Sequence, residues 1–476
     1  MGTAGTGGGA GAGGSTTLGG PFRYGMNFGY VPGFSNQDMA KLANGVGANG
    51  ARLSFPESFF AQWGYDIEVA NNQAFQTIGI KDNVAFLSGP TRDHSSAPSS
   101  VPDAELVYWI PNDLYQPIFL ADGSVNPGNS WAAYVEKTVS TYKDYVRVYS
   151  VWNEPDWVSD WHAVSTWTTA PPTKDQLPRF NGSIYDYVRM LRITSLVAKH
   201  VDSGVKVAVG GLGYPTFLSA VLRYSDDPAG GAISADYPKT GASYFDVVDM
   251  HYYPIFTAGN SDDGVDGLIA ERDQFQATLD AAGAGPRPFI VTESGAPAVA
   301  VGSAPGGVEY SKNYLLKAMI TAQAKGLSGI DWFILADGSD GATNSFGSMG
   351  CYEDLTTAGS PQAAVRTATG EAYRTLGTIL GGAAFDPGAT EALALPTGVR
   401  GAAFVTAAGK KAIALWARSA SGAESASASY DLSTTSTWRA FAWDAAKNQM
   451  ASTEDVPTSG KLTLPLTGTP IFLVAE

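Results

Sequence analysis

Short apolar runs alternate with amphipathic segments along most of the chain, from Phe22 to Leu380. Such alternation is typical of βαβ units, in which helices cover both faces of a parallel sheet. Strands buried in this way are almost continuously apolar, because neither face meets water. The pattern therefore predicts a parallel sheet with a helix between most pairs of strands.

Eight short apolar runs fit buried parallel strands. They are residues 22–28, 50–55, 83–87, 146–152, 206–210, 245–251, 288–292 and 329–335. Eight strands with helices in about 360 residues predict a (β/α)8 barrel with insertions. The longest insertion, residues 89–130, is rich in Pro, Ser and Asp, and we expect a loop there that shapes the active-site face.

Helical periodicity fills five of the intervals between the runs and also follows the eighth run, and the pattern changes near residue 381. The predicted helices are 37–43, 131–142, 184–200, 269–281, 310–324 and 370–380, and the later strands are 399–406, 411–417, 425–430, 438–443, 461–466 and 470–475. Short strands separated by turns predict an antiparallel β-sandwich. We expect a flexible Gly-rich tail (1–20), a catalytic barrel (21–380) and a β-sandwich domain (381–476).

Composition narrows the possible partners. Hydrophobic residues make up 44% of the chain and charged residues 16%, as in a well-buried globular protein. The net charge of −15 repels nucleic acid and anionic membranes, so we expect neither as a partner. It also opposes a strongly anionic substrate, unless a local basic patch overrides the average. Cys351 is the single cysteine, which excludes an intrachain disulfide.

The start of the chain suggests where the protein acts. Residues 1–20 are nearly all Gly, Ala, Ser and Thr, without the charged-then-apolar pattern of a signal peptide. We interpret them as a tail left after signal removal, with Met1 added for expression. A secreted or periplasmic bacterial protein is expected, and a natural cytosolic start is the alternative. The oligomeric state is left open.

Two glutamates end predicted strands. Glu154 stands in Val-Trp-Asn-Glu-Pro after the fourth strand, and Glu293 stands in Val-Thr-Glu-Ser-Gly after the seventh. A carboxylate at the end of a buried strand is costly without a role or a partner, and polar residues at that end of a barrel strand are usually catalytic. Glycosidic cleavage needs such a carboxyl pair. For either residue alone, the alternative interpretation is a structural one, in which the carboxylate caps a helix or pairs with an arginine.

These two strings resemble the active-site motifs of clan A glycoside hydrolases, and the chain is most similar to glycoside hydrolase family 39, with family 5 next. The resemblance covers roughly residues 22–380. It implies that Glu154 is the general acid/base, that Glu293 is the nucleophile and that Asn153 binds a substrate hydroxyl. It also implies that the C-terminal strands are the sandwich that accompanies the barrel in family 39.

The resemblance assigns further substrate-binding residues. Arg52 would pair with Glu293, His251 would line the cleft, and Tyr253 would hydrogen-bond Glu293, although neighbouring Tyr252 is the alternative because adjacent strand residues face opposite ways. Trp332 would form the floor beneath the sugar. Trp157, in the loop after Glu154, is a candidate platform on the leaving-group side.

The sequence thus predicts a retaining glycoside hydrolase that cleaves a β-linked polysaccharide or oligosaccharide, with endo-cleavage favoured by the long insertion. An exo-acting xylosidase-like enzyme, a transglycosylase and a non-catalytic carbohydrate-binding barrel are the alternatives. We predict no cofactor and no metal. Asp262, Asp263 and Asp266 do not have EF-hand spacing, and a solvated acidic turn is favoured over a calcium site.

Overall fold

Eight parallel strands form the first domain of the computed structural model, which describes residues 18–257, 259–420, 422–455 and 460–476. The strands are β1 (Arg23–Asn27), β2 (Gly50–Pro56), β3 (Asn83–Ser88), β4 (Val146–Val151), β5 (Lys206–Val209), β6 (Val248–His251), β7 (Phe289–Ser294) and β8 (Gly329–Trp332). Their order is β5-β4-β3-β2-β1-β8-β7-β6, and parallel bridges from Ala208 to Val247 and from Leu212 to Met250 join β5 to β6. The predicted barrel is confirmed.

The helices are α1 (Asn36–Gly45), α2 (Glu57–Trp63), α3 (Val69–Ile78), α4 (Ser130–Tyr142), α5 (Ile184–Val201), α6 (Pro215–Arg223), α7 (Ser261–Ala281), α8 (Val308–Ala324), α9 (Leu355–Ala358), α10 (Ala368–Leu380) and α11 (Pro387–Ala392). Two starts are set by capping boxes, in which Ser35 pairs with Asp38 and Ser183 with Asp186. The short helices α2, α3 and α6 were not predicted. None of the helices in the described ranges is long and apolar enough to cross a bilayer.

The predicted tail lies outside the described residues as far as residue 17. Its last residues contact the barrel: the Leu18 amide donates to Ser328 Oγ at 3.2 Å, and Arg147 donates to the Leu18 and Gly19 carbonyls. Residues 18 and 19 of the predicted tail thus contact the barrel. Leu18 also packs against the buried side chains at one end of the barrel interior.

The second domain consists of two antiparallel sheets, as predicted. Its strands are β9 (Ala384–Phe385), β10 (Val399–Val405), β11 (Lys411–Ala417), β12 (Ser427–Ser433), β13 (Trp438–Asp444), β14 (Gln449–Asp455), β15 (Lys461–Thr467) and β16 (Ile471–Ala475). Six of them form a sheet in the order β14-β13-β16-β11-β10-β9, and β12 pairs with β15. Strands β9 and β14 were not predicted.

Strand β11 belongs to two hydrophobic cores at once. Ala412, Ala414 and Trp416 pack into the core of the barrel, whereas Ile413 and Leu415 pack into the core between the two sheets. Successive strand residues point to opposite faces, so a continuously apolar strand can fill both. The six-stranded sheet is therefore the shared layer between the domains.

A buried ion pair lies at the contact between the domains. Asp262, in α7, accepts a hydrogen bond from Lys317 of α8 at 2.6 Å, and both side chains are 0% exposed. The Asp262 carboxylate also accepts from the Trp416 indole and from the Ser419 amide. The prediction of a solvated acidic turn was wrong for Asp262, because this carboxylate binds the second domain.

We predict that Asp262→Ala lowers the free energy of unfolding by about 3–5 kcal/mol, because Lys317 is left as an uncompensated buried charge. Urea titration followed by far-UV circular dichroism measures the change. Asp266→Ala is the control, since Asp266 is 46% exposed and its pairs with Arg400 and Arg418 are solvated. The control should lose about 1 kcal/mol or less. Equal losses in the two variants would contradict the assignment.

Candidate active site

The backbone of the Trp-Asn-Glu-Pro string makes a sharp turn where β4 ends. Trp152 and Glu154 have left-handed φ values of 77° and 49°, which are unusual for residues with a Cβ. The Glu154 amide donates to the Gly210 carbonyl at 2.9 Å, and the buried Trp152 indole donates to the Arg179 carbonyl at 2.7 Å. The strain is thus held in place from both sides, as is common at functional sites.

Glu293 lies near the end of β7, and both of its carboxylate oxygens have partners. Oε1 accepts from Arg52 Nη1, and Oε2 accepts from the Tyr253 hydroxyl at 2.7 Å. Tyr253 therefore occupies the position that the sequence left open between two tyrosines. Tyr252 is buried, and its hydroxyl is 3.2 Å from Thr257 Oγ1. Burial, followed by the charge of Glu293, raises the pKa of Tyr253, so its hydroxyl stays a donor.

Arg52 connects three strands of the barrel. From β2 it donates to Glu293 on β7 and to Asn153 Oδ1, after β4, at 2.6 Å. Its guanidinium also lies 4.5 Å from the centre of the Phe86 ring. Because arginine only donates, the Asn153 oxygen must face it, and the Asn153 amide nitrogen remains available to a ligand.

The two glutamates face each other across the barrel mouth. One carboxylate oxygen of Glu154, one of Glu293 and a ring nitrogen of His251 all lie within 4.8 Å of one another. Strands β4 and β7 are separated by several strands in the sheet order, so closure of the barrel produces this proximity. The structure thus brings the two predicted carboxylates together on one face.

His251 lies between the carboxylates but hardly lines the cleft, since it is 5% exposed. Its Nδ1 is 3.0 Å from Glu154 Oε1 and 3.6 Å from Glu293 Oε2, and its Nε2 is 3.0 Å from Thr292 Oγ1. The ring packs directly on Gly211, where a Cβ would lie 2.2 Å from Nε2. Only glycine allows this close approach.

Hydrogen bonding determines which proton His251 carries. Thr292 Oγ1 donates its single hydrogen to Asp249 Oδ1 at 2.7 Å, so it must accept from His251 Nε2–H. The other ring nitrogen, Nδ1, faces Glu154 Oε1. His251 and Glu154 therefore share the proton that lies between these two atoms. Burial alone would lower the pKa of His251, but the charge of Glu293 and the hydrogen bond with Glu154 raise it above its ordinary value.

Arg179 is a residue that the sequence analysis missed. It donates Nη1 to Glu154 Oε2, and its guanidinium stacks 4.4 Å from the centre of the Trp157 ring. Arg179 follows Glu154 by 25 residues in an irregular loop, so no periodicity or motif marks it. Trp157 is 38% exposed, and its contact in the cleft wall is this guanidinium.

A general acid is expected to have a raised pKa, but the pKa of Glu154 is lowered. Burial raises this pKa, but the hydrogen bond and charge of His251 and the charges of Arg179 and Arg52 outweigh it. In the ligand-free site, Glu154 is therefore an ionised carboxylate.

Trp332 does not lie in the cleft. It is 1% exposed, and its indole donates to the Met349 carbonyl at 2.7 Å, so it belongs to the core behind β8. The next residue, Phe333, is half-buried and lies edge-to-face with Tyr253, with ring centres 6.0 Å apart. An aromatic ring therefore borders the site at β8, one residue beyond the predicted one.

The spacing of Glu154, His251 and Glu293 would suit a metal ion, but the surrounding charges oppose one. Arg52 already binds Glu293, and Arg179 already binds Glu154. Two guanidinium groups on the same carboxylates would repel a cation. We assign no metal to these residues.

The solved structures that this chain resembles include glycoside hydrolases, whereas no protein-family model and no curated protein matches the chain. A family 39 glycoside hydrolase from Bacteroides cellulosilyticus has a TM-score of 0.60 at 15% identity, over 96% of this chain and 81% of that one. The chain has the fold of these enzymes. A family 30 endoxylanase from Clostridium papyrosolvens has a TM-score of 0.56 at 16% identity, over 97% of both chains. A family 44 xyloglucanase from Paenibacillus polymyxa has a TM-score of 0.53 at 13% identity, over 96% of both.

We predict that Glu154→Gln lowers the pKa of His251, because the carboxylate that stabilises the imidazolium is removed while burial remains. The chain has four histidines, so histidine-selective labelling and NMR titration can follow each ring. His162, which is exposed and paired with Asp160, is the internal control and should not change. An unchanged His251 titration would refute the proton sharing described above.

Proposed function

We propose that the protein is a retaining glycoside hydrolase, with Glu293 as the nucleophile and Glu154 as the general acid/base. The observation that carries the proposal is a distance across the barrel mouth. One carboxylate oxygen of Glu154 lies within 4.8 Å of one carboxylate oxygen of Glu293. Retaining enzymes have carboxyl groups about 5–5.5 Å apart, whereas inverting enzymes need about 6.5–9.5 Å to admit a water molecule. The short separation favours retention.

The reaction proceeds in two displacements. Glu293 attacks the anomeric carbon while protonated Glu154 gives its proton to the glycosidic oxygen, which leaves with the aglycone sugar. A glycosyl ester on Glu293 results. Glu154 then takes a proton from water, the water oxygen attacks the anomeric carbon, and the ester bond breaks to release the sugar and regenerate both carboxyl groups.

The contacts of Glu293 suit a nucleophile. Arg52 and Tyr253 hold its two oxygens, and this fixes the carboxylate in the plane from which it attacks. The Asn153 amide nitrogen, which is left available by the contact of Oδ1 with Arg52, would donate to a hydroxyl of the bound sugar. We assign the apolar surface beneath the sugar to Phe333 in place of Trp332, because Phe333 packs against Tyr253, which hydrogen-bonds Glu293.

The substrate that we propose is a β-linked polysaccharide or oligosaccharide, cut in the interior of the chain by a secreted enzyme. The long loop between β3 and β4 supports endo-cleavage, since it contacts the loop after Glu154 through the hydrogen bond of Asn181 to the Tyr108 carbonyl at 3.0 Å. Together the two loops form one wall beside the acid/base. A polysaccharide panel read by mass spectrometry gives the substrate and the cleavage mode together.

We predict that Glu293→Gln abolishes nearly all turnover while the chain stays folded. Glu154→Ala should lose about 10²- to 10⁴-fold on substrates with poor leaving groups and much less on activated aryl glycosides. Azide should restore part of the Glu154→Ala activity, because it attacks the glycosyl ester on Glu293 without base catalysis and gives a glycosyl azide of retained configuration.

The matched control is Glu391→Gln, a surface substitution in α11 that should keep full turnover. Wild-type turnover in either active-site variant would remove the assignment. Inverted products, seen by NMR of the first anomer released, would exclude the covalent intermediate. Binding without cleavage over the whole panel would favour a non-catalytic carbohydrate-binding barrel.

A further inference from the structure

When Glu154 is protonated, as the proposed reaction requires, the positive charges around it exceed the negative charges. In the ligand-free site, Arg179 pairs with Glu154 and Arg52 pairs with Glu293. When Glu154 takes the proton that it must donate, two guanidinium groups face a single carboxylate in a partly buried site. An uncompensated charge of that kind is costly, so a group from outside the protein should complete the balance.

Arg179 is built to receive such a group. Its guanidinium rests on the Trp157 ring, and its side chain is 36% exposed. Among the residues that the structure describes, the Glu154 carboxylate is the acceptor of its hydrogen bonds, which leaves the other N–H donors of the fork free. A stacked guanidinium with free donors matches the planar, two-oxygen geometry of a carboxylate.

The position of Arg179 indicates which part of the substrate it meets. Glu154 presents Oε1 to His251, next to Glu293, and Oε2 to Arg179. Arg179 thus lies on the edge of the acid/base that faces away from the nucleophile. The sugar attached to Glu293 occupies the nucleophile side, so the leaving sugar occupies the side of Arg179.

We infer that Arg179 and Trp157 form a leaving-group-side subsite for a hexuronate, whose carboxylate takes the place of Glu154 on the guanidinium. This inference rests on the proposed function, because it assigns the two sides of the cleft from the roles of Glu154 and Glu293. The exchange frees Glu154 to hold the proton that it shares with His251. Binding of an acidic sugar would thereby allow Glu154 to become protonated and to act as the general acid.

Other charged groups surround Glu154, and none replaces this exchange. Burial raises the pKa of Asp156 to about 7, so below that pH this side chain does not neutralise Arg179. Tyr214, which precedes α6, also lies near Glu154, but burial raises its pKa, so it stays neutral. The remaining groups that face Glu154 are Arg52 from β2, His251 and Tyr253 from the end of β6, and Glu293 from β7. They face the nucleophile side of Glu154 and are already paired with one another.

Binding of three matched sugars tests the inference without the need for turnover. The probes are methyl β-glucuronoside, neutral methyl β-glucoside and glucose 6-sulfate, and the method is calorimetry or NMR titration. We expect wild-type protein to bind the glucuronoside about tenfold more tightly than the glucoside. Arg179→Met should abolish the preference, whereas Lys174→Met, which removes an exposed charge from the same loop, should keep it. Equal binding of both sugars, or a preference only for the sulfate, would overturn the proposal.

A second variant separates lost binding from lost folding. Glu154→Gln removes the internal competitor for Arg179, so it should bind the glucuronoside more tightly than wild-type protein does. The double variant Glu154→Gln/Arg179→Met should show no such gain. A gain that persists in the double variant would show a general electrostatic effect and would refute the subsite.

Kinetics supply the remaining readout. Arg179→Met removes a charge that lowers the pKa of Glu154, so the basic limb of kcat/KM should move to higher pH. Wild-type enzyme should cleave an acidic polysaccharide faster than the same polymer after its carboxyl groups are reduced to alcohols. Equal rates on the two polymers count against the uronate subsite. Absence of turnover on every substrate counts against the proposed function, while the binding experiments still decide the subsite.

Discussion

One guanidinium group organises the centre of this molecule. Arg52 reaches from β2 to Glu293 on β7 and to Asn153 after β4, so a single side chain connects the strand ends that carry the two carboxylates. Barrel closure sets the distance between these strand ends, and Arg52 sets the orientation of the groups on them. The positive charge of Arg52 also offsets part of the repulsion between two carboxylates that lie so close together.

Burial and the neighbouring positive charges have opposite effects on the protonation of Glu154. Burial favours the neutral acid, whereas His251 and Arg179 favour the carboxylate, and in the free site the cations prevail. In the proposed reaction, Glu154 must hold a proton when the glycosidic bond breaks. The ligand-free site, in which Glu154 is ionised, therefore differs in charge from the site that reacts, in which Glu154 is protonated. Binding of an anionic ligand beside Arg179 can convert the first form into the second.

Strand order and the two glutamates could be predicted from sequence, because buried parallel strands are continuously apolar and a carboxylate that ends one is conspicuous. All eight barrel strands were found, with boundary differences of up to three residues. The helices α2, α3, α6, α9 and α11 were not found. Each spans ten residues or fewer and so offers few turns of periodicity, although α1, with ten residues, was found.

Side-chain direction was harder to predict where the strands are irregular. The pairing of β7 with β8 shifts between Val291 and Ser294, and a shift of this kind re-aims the side chains that follow. Trp332 accordingly turns into the core, while Phe333 meets the cleft. Arg179 depends on loop conformation, which the Trp152 indole fixes across 27 positions of the chain. No local pattern encodes such a contact.

The shared strand β11 has a consequence for the evolution and engineering of the protein. Trp416 packs into the core of the barrel and Leu415 packs into the core of the sandwich. The six-stranded sheet is therefore part of both domains. A cut near residue 381 would strip an apolar sheet from α8 and α10 and expose both surfaces to water. The sandwich is therefore a fixed part of the structure and cannot be exchanged as an independent module.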